Sequence, residues 1–308
     1  MRGDHPEHAT ASPNADANLR RLTIALSLIV VFMAVEVVAG ILASSLVLVS
    51  DAAHMLTDAG AIGLSLVALR LAARPAHGNL TFGLKRAEIL SAQANGAVLL
   101  VLAALILYEA ARRLVEPPAV GGWTVVVVAL AGLVVNFVAT RELAHADREN
   151  MAVEGSFRHL LTDLYAFAGT LLAGVVVVTT GFDRADPIAS LAVAALMLWA
   201  AYGLLKASGR VLLEMSPAGM DVAEIGRALA DHPHVSSVHD LHVWQIATGF
   251  PALSAHVLVP SGDDCHGIRR ELEQLLADRF DLEHTTLQVE HERTRELLSV
   301  APLQTRER

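Results

Sequence analysis

Six apolar stretches, near residues 22–43, 46–72, 88–111, 122–142, 156–181 and 187–208, constrain this chain more than anything else in it. Each is about 20 residues or longer, the length at which an α-helix crosses a hydrocarbon core of ~30 Å. A helix also pairs its own backbone groups, as lipid demands. The stretches therefore predict a transmembrane domain of six helices over residues 21–210. Composition agrees, because 54% of the 308 residues are hydrophobic and 18% are charged, against roughly 25% charged in soluble domains. The single cysteine, Cys265, excludes a disulfide framework and a cysteine-rich metal cluster.

Residues 1–20 are polar, carry Pro6 and Pro13, and lack the apolar core of a signal peptide, so they read as a flexible tail on the side of synthesis. Lys and Arg gather on that same side. Arg70, Arg74, Lys85 and Arg86 follow the second stretch, Arg141, Arg148 and Arg158 follow the fourth, and Lys206 and Arg210 close the sixth. The opposite loops hold Arg112, Arg113 and Arg184. Basic residues stay inside, so both termini are expected in the cytoplasm, and an inner cell membrane is the simplest location.

Residues 211–292 read as a soluble domain and 293–308 as a charged tail. Asp221 to Ala230 and Ile268 to Phe280 have helical spacing, while Val238 to Ile246, Leu253 to Val259 and Thr285 to Val289 read as strands. The order αββαβ predicts a small open sheet with its helices on one face, Gly249 and Pro251 making the first turn. Up to Arg210 the chain has 16 Asp and Glu against 15 Lys and Arg, and from Val211 it has 16 against 8. Nearly all the net charge of -9 therefore lies in the last third of the chain, which disfavours nucleic acid as a partner.

The chemistry centres on a repeated string. His54-Met-Leu-Thr-Asp58 lies in the second stretch and His159-Leu-Leu-Thr-Asp163 in the fifth. Residues four apart in a helix share a face, about 6 Å apart along the axis. With six spans the two copies run in opposite directions, so His54 stands level with Asp163 and Asp58 with His159, as in an inverted repeat of three helices plus three. Two nitrogens and two oxygens can then close a tetrahedron. Plain hydrogen bonding between buried helices is the alternative. Against it, an ionised carboxylate at membrane depth costs at least about 2.5 kcal/mol, and this chain places two at matching positions. A divalent cation neutralises both. Imidazole with carboxylate in a four-coordinate site suits Zn2+, with Co2+ or Cd2+ as mimics, whereas oxygen ligands alone would suit Mn2+ or Mg2+. Four protein ligands leave no position for a catalytic water and no HExxH string is present, so binding and release are favoured over an enzyme.

Three segments, Ser50-Asp51-Ala-Ala-His54-Met-Leu-Thr-Asp58, Thr81-Phe82-Gly83-Leu-Lys-Arg86-Ala-Glu88-Ile89-Leu90 and Val238-His239-Asp240-Leu241-His242-Val243-Trp244, resemble the cation diffusion facilitators, most of all their zinc-transporting branch. The resemblance runs from about residue 20 to 292. It implies a homodimer in the lipid bilayer with six helices per protomer and a metallochaperone-like cytoplasmic domain. It also implies export of zinc or a related metal in exchange for protons, with the transport site at His54, Asp58, His159 and Asp163. Cadmium, cobalt or iron export by the same mechanism is the alternative within the family; a membrane metalloenzyme and a metal sensor are the alternatives outside it.

Eight of the 14 histidines lie in the cytoplasmic domain. By the resemblance, His239, Asp240, His256, His266 and Glu290 fall where the family binds regulatory metal at its dimer interface. Gln288 stands where a histidine is expected, which leaves His284 or His291 to complete the set. The loop after the second span has His77 but Leu80 and Leu84 at the remaining ligand positions, and the loop after the fourth has only His145, so no metal site is expected in either. Asp51, one turn before His54, is placed to orient it or to cap the helix. Arg86 and Glu214 are candidates for a salt bridge that fixes the membrane part on the soluble domain. Glu36, Glu88, Asn95 and Asn136 are polar groups within apolar stretches, suited to interhelical hydrogen bonds or to a wetted access path.

Overall fold

The computed structural model describes residues 15–42, 46–115, 122–182 and 184–292. Six long helices come first: α1 (Ala15–Leu42), α2 (Leu46–Ala72), α3 (Ala87–Val115), α4 (Gly122–Ala144), α5 (Met151–Thr180) and α6 (Ala185–Leu212). α1 and α3 to α6 are long and apolar enough to cross a membrane. α2, with 27 residues, has the length to do the same. Val31, Val35, Leu105, Val127 and Val134 point outward from these helices, as lipid-facing side chains do.

The helices share two apolar cores. Leu22 and Ile29 of α1, Met55 and Ile62 of α2, Leu143 of α4 and Leu160 of α5 belong to the first. The second joins Leu99 and Ala103 of α3 to Met197, Ala201 and Leu204 of α6. Small side chains let the α3–α6 pair close, since between helices in lipid the attraction is van der Waals contact. At Gly96 a Cβ would stand 3.1 Å from Leu205 Cγ and 3.2 Å from Leu204 Cβ, so the two backbones approach as closely as a glycine allows.

α5 begins where Asn150 caps it, its side-chain oxygen accepting from the N–H of Ala152 at 3.0 Å and of Val153 at 3.3 Å. The Asn150 amide donates in turn to Glu88 at the start of α3. The helix ends at Gly181, whose φ of 70° gives the left-handed C-cap. The tail expected over residues 1–20 needs correction, because α1 already starts at Ala15. Its polar first turns are held by the rest of the unit: Asn18 is buried and accepts from the N–H of Asp147 at 2.9 Å, and Arg21 lies 3.6 Å from Glu142.

The chain divides into two compact units. One ends at Glu214 and includes Ile246–Gly249; the other begins at Met215 and holds the remaining described residues. In the second unit α7 (Val222–Ala230), β1 (Ser237–Ala247), β2 (Phe250–Val259), α8 (Cys265–Phe280) and β3 (His284–His291) follow in the expected αββαβ order. The sheet order is β1-β2-β3, with β2 parallel to β3 and His256 opposite Gln288. Ile225 and Leu229 of α7 join Ile268, Leu272 and Leu276 of α8 and the inward residues Leu253, Ala255, Val257 and Val259 in one core. Thr248 and Gly249 alone make the first turn, with φ at +66° for Gly249; Pro251 sits inside β2 and not in the turn. Asp264 caps α8, accepting from the N–H of His266 at 3.1 Å. The backbone N–H groups of Gly267 and His266 hold its carboxyl below the ordinary carboxylate range.

Two predictions follow from these contacts. Gly96→Val should push α3 from α6 and lower the stability of the detergent-solubilised chain by about 1–3 kcal/mol, read as a fall in Tm. For Asp264 the folded pKa is the depressed one, so its contribution is present above the unfolded pKa and is lost as pH falls through the folded value. Asp264→Ala should therefore reduce hydrogen-exchange protection of the first turn of α8 near neutral pH, and the gap from the unsubstituted chain should close in acid.

Candidate metal centre

Two helices bring the repeated string together. Asp58 of α2 and His159 of α5 meet with Oδ1 and Nε2 2.9 Å apart, and Asp163 Oδ2 lies 3.8 Å from the same Nε2. All three are at most 3% exposed. One ligand atom from each falls within 4.8 Å of the others, which among the described residues is the one such convergence of three His, Cys, Asp or Glu side chains. The backbone explains it: His159 and Asp163 are one turn apart on α5, and α2 passes in the opposite sense. Asp58 Oδ2 and His159 Nδ1 have no hydrogen-bond partner among the described residues. A buried carboxylate oxygen without a donor is costly unless a cation completes it. The side chains of Asp51 and His54 lie outside the described residues; His54 precedes Asp58 by one turn of α2.

Toward the C-terminal end of α2 and the N-terminal end of α5 lies a second buried polar group, of which the sequence had pointed to Asn95 alone. Ser156 Oγ donates to Ser65 Oγ at 2.8 Å and Asn95 Nδ2 donates to it at 3.3 Å, with Ser91 Oγ at 3.2 Å. The only available signal was helical spacing, Ser65 lying two turns after Asp58 and Ser156 about one turn before His159. Among the other polar groups of the apolar stretches, Glu88 and Asn95 bond between helices, whereas Asn136 Nδ2 donates to Gly132 of its own helix at 3.2 Å. The Glu36 side chain lies outside the described residues.

In the cytoplasmic domain His239 and His256 face each other with ring centroids 5.3 Å apart. Asp240 Oδ2 is 3.9 Å from His256 Nε2, and Asp240 Oδ1 is 3.0 Å from His242 Nε2, a residue the sequence reading did not select. Asp240 holds φ at 55° within β1, a strained conformation for a residue with a Cβ. Glu290 lies on β3, the strand beside β2, and accepts from Gln288, the residue opposite His256. His266 stands elsewhere, in the first turn of α8. His77 and His145 are exposed and bond to backbone carbonyls of Pro75 and Arg141. Arg86 Nη2 lies 3.3 Å from Glu214 Oε1, both exposed enough for such a pair to contribute at most about 1 kcal/mol.

Two family models match the chain, one described as the cation efflux transmembrane domain over residues 22–213 and one as the cytoplasmic domain of cation efflux proteins over residues 217–292. A protein of Bacillus subtilis (strain 168) named cadmium, cobalt and zinc/H(+)-K(+) antiporter is 36% identical over 284 residues, which cover 91% of this chain and 91% of that one. The metal cation efflux system protein CzcD of Cupriavidus metallidurans is 38% identical over 274 residues, 89% of this chain and 87% of its own. The zinc transporter ZitB of Escherichia coli (strain K12) is 37% identical over 287 residues, 92% and 91% respectively.

The convergence on α2 and α5 predicts that zinc titrated into the detergent-solubilised chain binds more weakly by about a hundredfold or more when Asp58→Ala or His159→Ala removes one ligand of the buried set. Unchanged calorimetric affinity in both variants would remove these atoms from any cation site.

Proposed function

The chain belongs to the cation diffusion facilitator family, and on that premise we propose that it exports zinc from the cytoplasm in exchange for protons, through a site made of His54, Asp58, His159 and Asp163. It is a multi-pass membrane protein of divalent metal efflux; the relatives named for zinc, cadmium and cobalt support zinc as cargo and leave the other two as alternatives. The antiporter name of the Bacillus subtilis relative supports the exchange. The distribution of Lys and Arg supports cytoplasmic termini and an inner cell membrane. Pairing into a homodimer belongs to the same reading.

One observation carries the mechanism: His159 Nε2 and Asp58 Oδ1 stand at hydrogen-bond distance in a dry place. A bond of that kind holds a proton between the two atoms. A cation that takes both atoms as ligands must expel it, since metal ligands have to be deprotonated. Proton and metal therefore compete for one location, which is what exchange requires. Because protons and cation compete for the same atoms, the pH on each side of a membrane biases which occupant wins. Two carboxylates offset the charge of a divalent cation at a depth where an uncompensated ion would be expensive. A place between helices that can rock against each other suits alternating access.

In the cytoplasmic domain we assign regulatory metal to His239, Asp240 and His256, with Glu290 from the adjacent strand and His266 as the more distant member. The approach of His242 to Asp240 supports adding it to that set.

Sealed inverted vesicles test the reading. Zinc addition should drive proton release from vesicles carrying the unsubstituted chain, and His159→Ala or Asp163→Ala should reduce that flux to the level of empty vesicles. Flux equal to the unsubstituted chain in either variant would sink the assignment.

A further inference from the structure

The polar group around Ser65 takes no part in the exchange described above, yet it braces the same two helices. α2 and α5 touch through Asp58 and His159 at 2.9 Å and again through Ser65 and Ser156 at 2.8 Å. Asn95 and Ser91 tie α3 to this second contact. Ser65 Oγ has a fourth polar neighbour, the carbonyl of Ala61 at 3.2 Å. A hydroxyl offers one proton and two lone pairs, so it is saturated when it accepts from Ser156 and Asn95 and gives its proton to the Ala61 carbonyl or to Ser91. Gly155, next to Ser156, lets α3 come near, since a Cβ there would already be 3.4 Å from Asn95 Nδ2. None of the four side chains belongs to a residue more than 2% exposed.

Spacing between α2 and α5 has a chemical meaning. Ligand atoms borne by two helices can hold zinc at about 2.0–2.2 Å only when the helices stand at the matching distance. Cadmium, the larger ion, needs longer bonds and a wider set of donors. Raw affinity does not separate such ions, so geometry held by the surroundings of the ligands has to.

We propose that Ser65, Ser91, Asn95 and Ser156 form a brace that fixes the α2–α5 spacing and thereby makes the transport site favour zinc over cadmium. The inference rests on the reading of His54, Asp58, His159 and Asp163 as that site. Ser65 acts through position and touches no cargo. Without its hydroxyl, Ser156 and Asn95 lose their shared acceptor, and the ligand contact at Asp58 and His159 is left as the hydrogen-bonded tie between α2 and α5 beside their apolar packing.

The full chain, purified and reconstituted in liposomes, is compared with Ser65→Ala, Ser65→Thr and Ser91→Ala. For each, transport kcat/KM and equilibrium Kd are measured with zinc and with cadmium. In Ser65→Ala the cadmium-to-zinc ratio should rise about three- to tenfold in both readouts, the range that one buried hydrogen bond is worth. Ser65→Thr keeps the hydroxyl and should stay within about twofold of the unsubstituted chain. Equal losses for the two metals would mean a merely structural role and would overturn the proposal, as would an unchanged ratio. If Ser65→Ala yields no folded protein, Ser91→Ala decides, since it removes a peripheral member and leaves the Ser65–Ser156 bond. A ratio shifted in the same direction supports the brace, and an unshifted one overturns it. Asp163→Ala separates the two readings: flux persisting there removes the transport site itself, whereas a flux lost there with no change of ratio in the serine variants removes only the brace.

Discussion

Asp58, His159 and Asp163 sit at most 3% exposed inside helices otherwise fit for lipid, and the rest of the membrane unit is arranged around what that burial requires. Each of these groups would be expensive alone in a medium of low dielectric constant, and each is tolerable beside the others. The crossing of α2 with α5 is therefore more than close packing, because it brings the compensating charges within reach. α5 is fixed where this matters most: Asn150 satisfies two N–H groups at its start and is itself tied to Glu88 of α3. Aliphatic side chains of the first apolar core fill much of the remaining contact around the ligand helices.

The bundle separates into two apolar groups, one shared by α1, α2, α4 and α5 and one by α3 with α6. The polar group at Ser65 spans both, since Asn95 and Ser91 belong to α3 while Ser65 and Ser156 belong to the site helices. A hydrogen-bonded junction differs from a greasy one when helices rearrange. Its members can trade one another for water at little net change, whereas wetting an apolar seam costs roughly 25 cal/mol for each Å2 exposed. Specific ties of this kind can hold a geometry without freezing it.

Much of this architecture was legible in the residues. Long apolar runs announce helices whatever their neighbours do, and a repeated His and Asp four apart in helices of opposite direction implies that Asp58 approaches His159. Strand alternation and turn residues likewise announced the αββαβ order. What stayed hidden depends on helix rotation and on partners remote in the chain. Ser27 and Thr179 bond to carbonyls of their own helices, as serines and threonines in helices commonly do, and nothing local distinguishes them from Ser65 or Ser156. The beginning of α1 looked like a tail because its residues are polar; only the distant Asp147 and Glu142 give Asn18 and Arg21 a reason to be helical. His242 was outside the set that the resemblance implied, and its approach to Asp240 depends on the left-handed backbone at Asp240, which no local pattern announces.

The head-to-tail crossing of α2 and α5 has one more consequence. A donor string that appears once on a descending helix and once on an ascending one reads the same from either side of the membrane, like a palindrome. Such a ligand set contains no arrow. It cannot by itself prefer delivery outward to delivery inward, and the sense of transport must come from unequal concentrations of cargo and protons on the two sides. In the proposed exchange the protein contributes the exclusiveness of the seat: by letting one occupant displace the other, it converts a difference in acidity into a difference in metal.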